Sequence, residues 1–85
     1  MVNVSLKDQV YETIADCLPE ERRSVEIDDY DRLDDLGLDF IGVLDLACQL
    51  ELVFDQIALR ELEIDSWRIA RDVYESVEKQ VAGRD

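Results

Sequence analysis

Residues 32–55 read RLDDLGLDFIGVLDLACQLELVFD, and their spacing predicts a helix that opens at Phe40 and closes near Phe54. Asp39 is the natural N-cap, because a short side-chain oxygen there accepts an otherwise orphaned N–H of the first turn. Val43, Leu46, Ala47, Leu50 and Phe54 share one stripe at helical spacing, the expected core face. Asp45 and Gln49 lie on the opposite, wet side. A second apolar row, Phe40, Leu44 and Cys48, runs at four-residue intervals, with Leu52 and Val53 near the end. A helix this apolar is either very buried or carries a binding face. Gly37 serves the turn into the helix. Gly42, in mid-helix, is expected to let a partner backbone approach closely.

Upstream, Ser5 is a candidate N-cap, and Asp8, three residues on, can return the bond in a capping box. Leu6, Val10, Ile14 and Leu18 follow at helical spacing, reinforced by Tyr11 and Ala15, and Pro19 is expected to stop the helix. Residues 19–38 have no clear period and predict a long loop, pinned to the core by Val25, Ile27, Leu33 and Leu36. From Glu26 to Asp39 the loop carries seven acids and one base, Arg32. A solvated acidic loop explains this; a weak divalent-cation site is the alternative, although the spacing does not match a calcium-binding helix–loop–helix. Downstream, one short turn is expected around residues 59–62. A last helix is expected to be capped by Asp65 or Ser66 and to bury Trp67, Ala70, Tyr74 and Val77. With no strand pattern and no repeat, residues 1–85 predict one domain, a small all-α antiparallel bundle of three main helices plus a short one.

Lys and Arg number 9 against 22 Asp and Glu, giving a net charge of −13 with no histidine. That balance repels nucleic acid and anionic membranes and favours basic protein surfaces. Cys17 and Cys48 both lie in apolar helical patterns, so neither a disulfide nor a zinc site is expected, and no other metal site either. The opening MVNVSLKDQV has no basic region and no apolar run, so no signal peptide is expected, and no stretch has spanning length. The expectation is a cytoplasmic protein. There is no histidine, no glycine-rich phosphate loop and no acid cluster outside the solvated loop, so an enzyme is not expected.

The segment DRLDDLGLDFIGVLDLACQLELVFD resembles the acyl carrier protein family, whose hallmark is a Leu-Gly-x-Asp-Ser-Leu motif opening the second helix. Leu36, Gly37, Leu38 and Asp39 match it, Ile41 stands for the final leucine, and Phe54 and Asp55 match the Phe-Asp that closes the helix. The long first loop, the short third helix and a last helix after EIDSW fit as well, so the resemblance covers about the whole chain. It implies a non-catalytic carrier that docks on separate enzymes through its acidic second helix. In the family, phosphopantetheine is attached to the serine after the aspartate. Here that position is Phe40, and neither Ile41 nor Gly42 offers a hydroxyl, so no phosphopantetheine is expected at the usual place. A second departure lies late in the helix. The chain keeps Asp45 and Glu51 but has Leu52 and Val53 where glutamates are common in the family.

Three readings of Phe40 follow. In the first, Phe40, Leu44, Cys48 and Leu52 form a contact row for a protein partner, with Asp45 and Glu51 as a charged rim and self-association as one form of it. In the second, the ring folds inward and plugs the space where carriers shelter an acyl chain. In the third, attachment moves to Ser66, because LEIDSW partly repeats the motif. The expected function is a carrier homologue without the attachment serine, acting as an interaction or regulatory module beside fatty-acid or polyketide-type thioester enzymes. The alternative is an acyl carrier of such a pathway with a variant or altered site.

Overall fold

A computed structural model describes residues 5–22, 26–55 and 57–82. The first helix, α1 (Leu6–Asp16), starts where its cap predicts: Ser5 Oγ accepts the Asp8 N–H at 3.1 Å. It ends earlier than Pro19. The Cys17 and Leu18 N–H groups bond to the Ile14 and Ala15 carbonyls in tightened, three-residue closures. Pro19 instead opens a 3₁₀ turn (Glu20–Arg22), its carbonyl accepting the Arg22 N–H at 2.8 Å.

The expected long loop is therefore partly regular, and it also contains the one-turn helix α2 (Leu33–Leu36). Gly37 ends α2 at φ 107°, a left-handed conformation that glycine adopts without a Cβ clash. Its N–H returns to the Asp34 carbonyl, and Leu38 N–H reaches back to Leu33 at 3.0 Å. Together these bonds close a Schellman motif. Leu33, Leu36 and Leu38 are buried and Ile27 is half-buried, while Val25 lies outside the described residues.

α3 (Phe40–Val53) follows, then α4 (Glu61–Asp65) and α5 (Ala70–Ala82). α4 begins later than residue 59 because the chain before it is held extended by side chains. Gln80 both donates to the Ala58 carbonyl (2.8 Å) and accepts the Ala58 N–H (2.9 Å), and Glu51 accepts the Leu59 N–H (2.8 Å). α5 likewise begins at Ala70 and not at Asp65 or Ser66. Asp65 closes α4, and Ser66 Oγ donates to the Glu63 carbonyl at 2.7 Å. From inside α5, Asp72 Oδ2 reaches back to accept the Arg68 and Ile69 N–H groups just ahead of the helix.

A long-range pairing, invisible to local patterns, causes that delay. The Arg68 carbonyl accepts the Leu33 N–H, and Arg32 and Ile69 form an isolated antiparallel bridge. The first free N–H groups of α5, on Ala70 and Arg71, are taken by the Asp31 and Asp29 carbonyls at 3.0 Å each. Trp67 is buried ahead of the helix, its indole N–H donating to Ser76 Oγ at 2.8 Å. With the register set at Ala70, the buried stripe is Ala70, Val73 and Val77; Tyr74 is only half-buried.

α1 packs against both α3 and α5. Val10, Ile14, Leu18, Leu46, Leu50, Val73 and Val77 are the largest side chains in the fully buried core. The architecture is a small all-α bundle, with no strand among the described residues. No described helix is long and apolar enough to cross a membrane.

The Asp29 side chain locks the 28–31 turn onto α1. It pairs with Lys7 Nζ at 2.7 Å and accepts the Tyr11 hydroxyl at 2.7 Å. Bonds from the Lys7 ammonium and then the Tyr11 hydroxyl hold this carboxyl below the usual aspartate range. Burial and the same hydrogen bond push the Tyr11 phenol well above the tyrosine range.

Two outcomes follow. Gly37→Ala forces a side chain into the left-handed region and sets its Cβ about 3.1 Å from Pro19 Cδ. Urea unfolding should show a loss of about 1–2 kcal/mol. For Asp29, a depressed folded-state pKa stabilises the fold above the unfolded value of about 3.9 and stops doing so as the carboxyl protonates below it. Wild type should therefore exceed Asp29→Asn in urea midpoint at pH 7, with the gap closing as pH falls from about 4.

Candidate functional site

α3 serves two environments with one sequence. Asp39 caps it, its Oδ1 accepting the Gly42 N–H at 2.7 Å. Leu46, Ala47 and Leu50 are buried, with Val43 and Phe54 packed partly against the same core. Residues four apart on a helix advance by about 40°, so the row Phe40, Leu44, Cys48, Leu52 winds across the outward side. Phe40 is 71% exposed, Leu52 71% and Leu44 38%, and Cys48 is exposed too. The Phe40 ring points outward. The ring does not plug the interior; it flanks a shallow cleft of about 150 Å³ beside Leu38, Val43 and Trp67.

One further exposed member of this surface was not in the expected contact row: Ile41, 72% exposed. Ile41 was placed only in the motif. Its position three residues before Leu44 was the available signal, since residues three apart are neighbours on a helix surface.

The remaining expected residues separate by role. Leu36 and Leu38 are buried and Gly37 makes the turn, so the front of the motif builds the entry to α3. Asp45 is exposed. Glu51 is half-buried, and its carboxylate caps the Leu59 N–H. Gly42 does not open a path for a partner backbone: a Cβ there would meet Asp39 Oδ1 and Leu38 Cδ2 of its own chain, each at 3.2 Å. The glycine serves the cap. Ser66 is exposed at the α4–α5 turn and lines an open polar groove of about 700 Å³ with Arg60, Ser76 and Lys79. Cys17 is half-buried in the bundle.

The surface has little charge of its own. α3 has two acids, Asp45 and Glu51, and no base among its 14 residues. At its entry, the Arg32 guanidinium pairs with Asp34 at 3.0 Å and holds that carboxyl below its usual range. Position 40 has no oxygen nucleophile, and among the described residues no group of His, Cys, Asp and Glu is placed to hold a metal ion. No family model, no curated protein and no solved structure matches the chain.

Exposure separates the two faces energetically. Phe40→Asp and Leu52→Asp should each shift unfolding stability by no more than about 0.5 kcal/mol. Leu46→Ala should cost about 2–5 kcal/mol, because it opens a cavity in the core. Urea titrations of the three variants check both statements.

Proposed function

We propose that the chain is an acyl carrier protein homologue without the attachment serine. It works as a non-catalytic interaction or regulatory module beside fatty-acid or polyketide-type thioester enzymes. The supporting observation is Phe40 itself. It occupies the first residue of a helix capped by Asp39, directly after the Leu36, Gly37, Leu38 and Asp39 turn, and its ring is exposed. A hydroxyl at this place would be open to a phosphopantetheinyl transferase; a phenyl ring has no lone pair to attack the phosphate. The same exposure makes the ring a candidate anchor, since burying it in a contact contributes about 1.5–3 kcal/mol. On this reading the carrier's docking helix is retained and its cargo arm is gone, which leaves binding as the function.

Intact mass after incubation with a phosphopantetheinyl transferase and coenzyme A is the test. The unchanged chain is expected to keep its bare mass, and Phe40→Ser is expected to gain one phosphopantetheine. An increment on the unchanged chain overturns the proposal, and fragment mapping would then look first at Ser66. A Phe40→Ser chain that stays bare removes the support drawn from the motif.

A further inference from the structure

α3 is the least charged of the long helices. α1 carries Lys7, Asp8, Glu12 and Asp16, and α5 carries Arg71, Asp72, Glu75, Glu78 and Lys79, whereas α3 carries only Asp45 and Glu51. Glu51 is half-buried and accepts the Leu59 N–H, so Asp45 is the one exposed charged residue of α3. In a chain of net charge −13, two copies repel across most of their surfaces. Along the outward side of α3 they meet apolar groups instead.

We propose that this side of α3 is the contact surface for a second copy of the chain, forming a weak two-fold dimer. The inference rests on the reading of α3 as an interaction helix. Large apolar side chains carry about 150–200 Å² each. The exposed fractions at Phe40, Ile41, Leu44 and Leu52 then leave roughly 400–500 Å² of apolar surface per copy. A two-fold contact that hid all of it would bury roughly 800–1,000 Å² in total, below the range of stable interfaces, and so would give a weak, reversible dimer. The row Phe40, Leu44, Cys48, Leu52 is one four-residue ridge. Ridges of this kind interdigitate when helices cross at about −50°. Such a crossing brings Leu44 and Cys48 together near the axis and splays the helix ends, so that Asp39 of each copy points into solvent. Because a two-fold contact is isologous, Cys48 of one copy faces the same region of the other.

Charge gives the dimer a distinctive signature. Salt screens the repulsion between two acidic copies, so association tightens as ionic strength rises; a basic partner would behave in the opposite way.

Sedimentation equilibrium of the full chain from about 1 µM to 1 mM, in about 0.05 M and 0.5 M NaCl, tests the proposal. The expected result is a monomer–dimer equilibrium that tightens severalfold at high salt. Phe40→Asp and Leu52→Asp should each weaken it at least tenfold while remaining folded by circular dichroism. Aspartate at position 40 sits in the first turn, where a negative charge favours the helix, so loss of folding is not the expected cause. Diamide, which takes two hydrogens as two thiols join in one disulfide, should give a covalent dimer that Cys48→Ser abolishes. A monomer at every concentration overturns the dimer and assigns the face to a different protein. A dimer that salt loosens, or that ignores both aspartates, overturns it too. The phosphopantetheine mass test bears on the proposed function alone, so the two readings can fail separately.

Discussion

The carboxylate of Asp29, with the backbone around it, joins parts of the chain that no helix connects. Its oxygens hold Lys7 and Tyr11 of α1, and its carbonyl accepts Arg71 N–H at the start of α5. Two residues on, the Asp31 carbonyl takes Ala70 N–H, and Leu33 N–H goes to Arg68. The segment is acidic, and its buried leucines alone would not fix its register against α5. Here its polar groups satisfy donors that helix ends leave open, so the loop and α5 complete each other. The placement of α2, and with it the Gly37 turn and the Asp39 cap, follows from this anchoring.

Local chemistry was readable in the sequence where both partners are neighbours. Ser5 with Asp8 and Asp39 with Gly42 are three residues apart, and each cap lies where its residue type implied. The stripe Leu46, Ala47 and Leu50 was equally plain, since helical spacing alone selects it. The start of α5 was not readable. Asp65 and Ser66 are good cap residues by type, but Arg68 and Ile69 are held extended by residues more than thirty positions earlier. The late start of α4 has the same origin in Gln80 and Glu51. At the surface, spacing gave the row of Phe40, Leu44, Cys48 and Leu52 but not its direction, because a ring at the first position of a helix can turn either way. Glu51 looked like a rim charge for want of any sequence mark of its bond to Leu59.

α3 also shows how one helix meets two demands. Its inner stripe is fully buried, and its outer stripe is apolar without being buried. Monomeric proteins rarely expose contiguous apolar surface of several hundred Å² unless it is used. The rest of the chain is heavily acidic, with its charges carried by α1, α5 and the loop. The apolar face and the charge are thus carried by different elements.

The side-chain clamp that Gln80 closes on Ala58 bears on how the molecule breathes. Ala58 and Leu59 belong to no helix, yet both amides are bonded at 2.8–2.9 Å to side chains of α5 and α3. Protection from hydrogen exchange tracks the opening of cooperative units, not the borders of secondary structure. These two connector amides are thus tied to the last turns of α5 and α3, and opening of those turns is enough to free them. Hydrogen-bonded order at this end of the bundle therefore extends into a stretch that backbone geometry alone would describe as a loop.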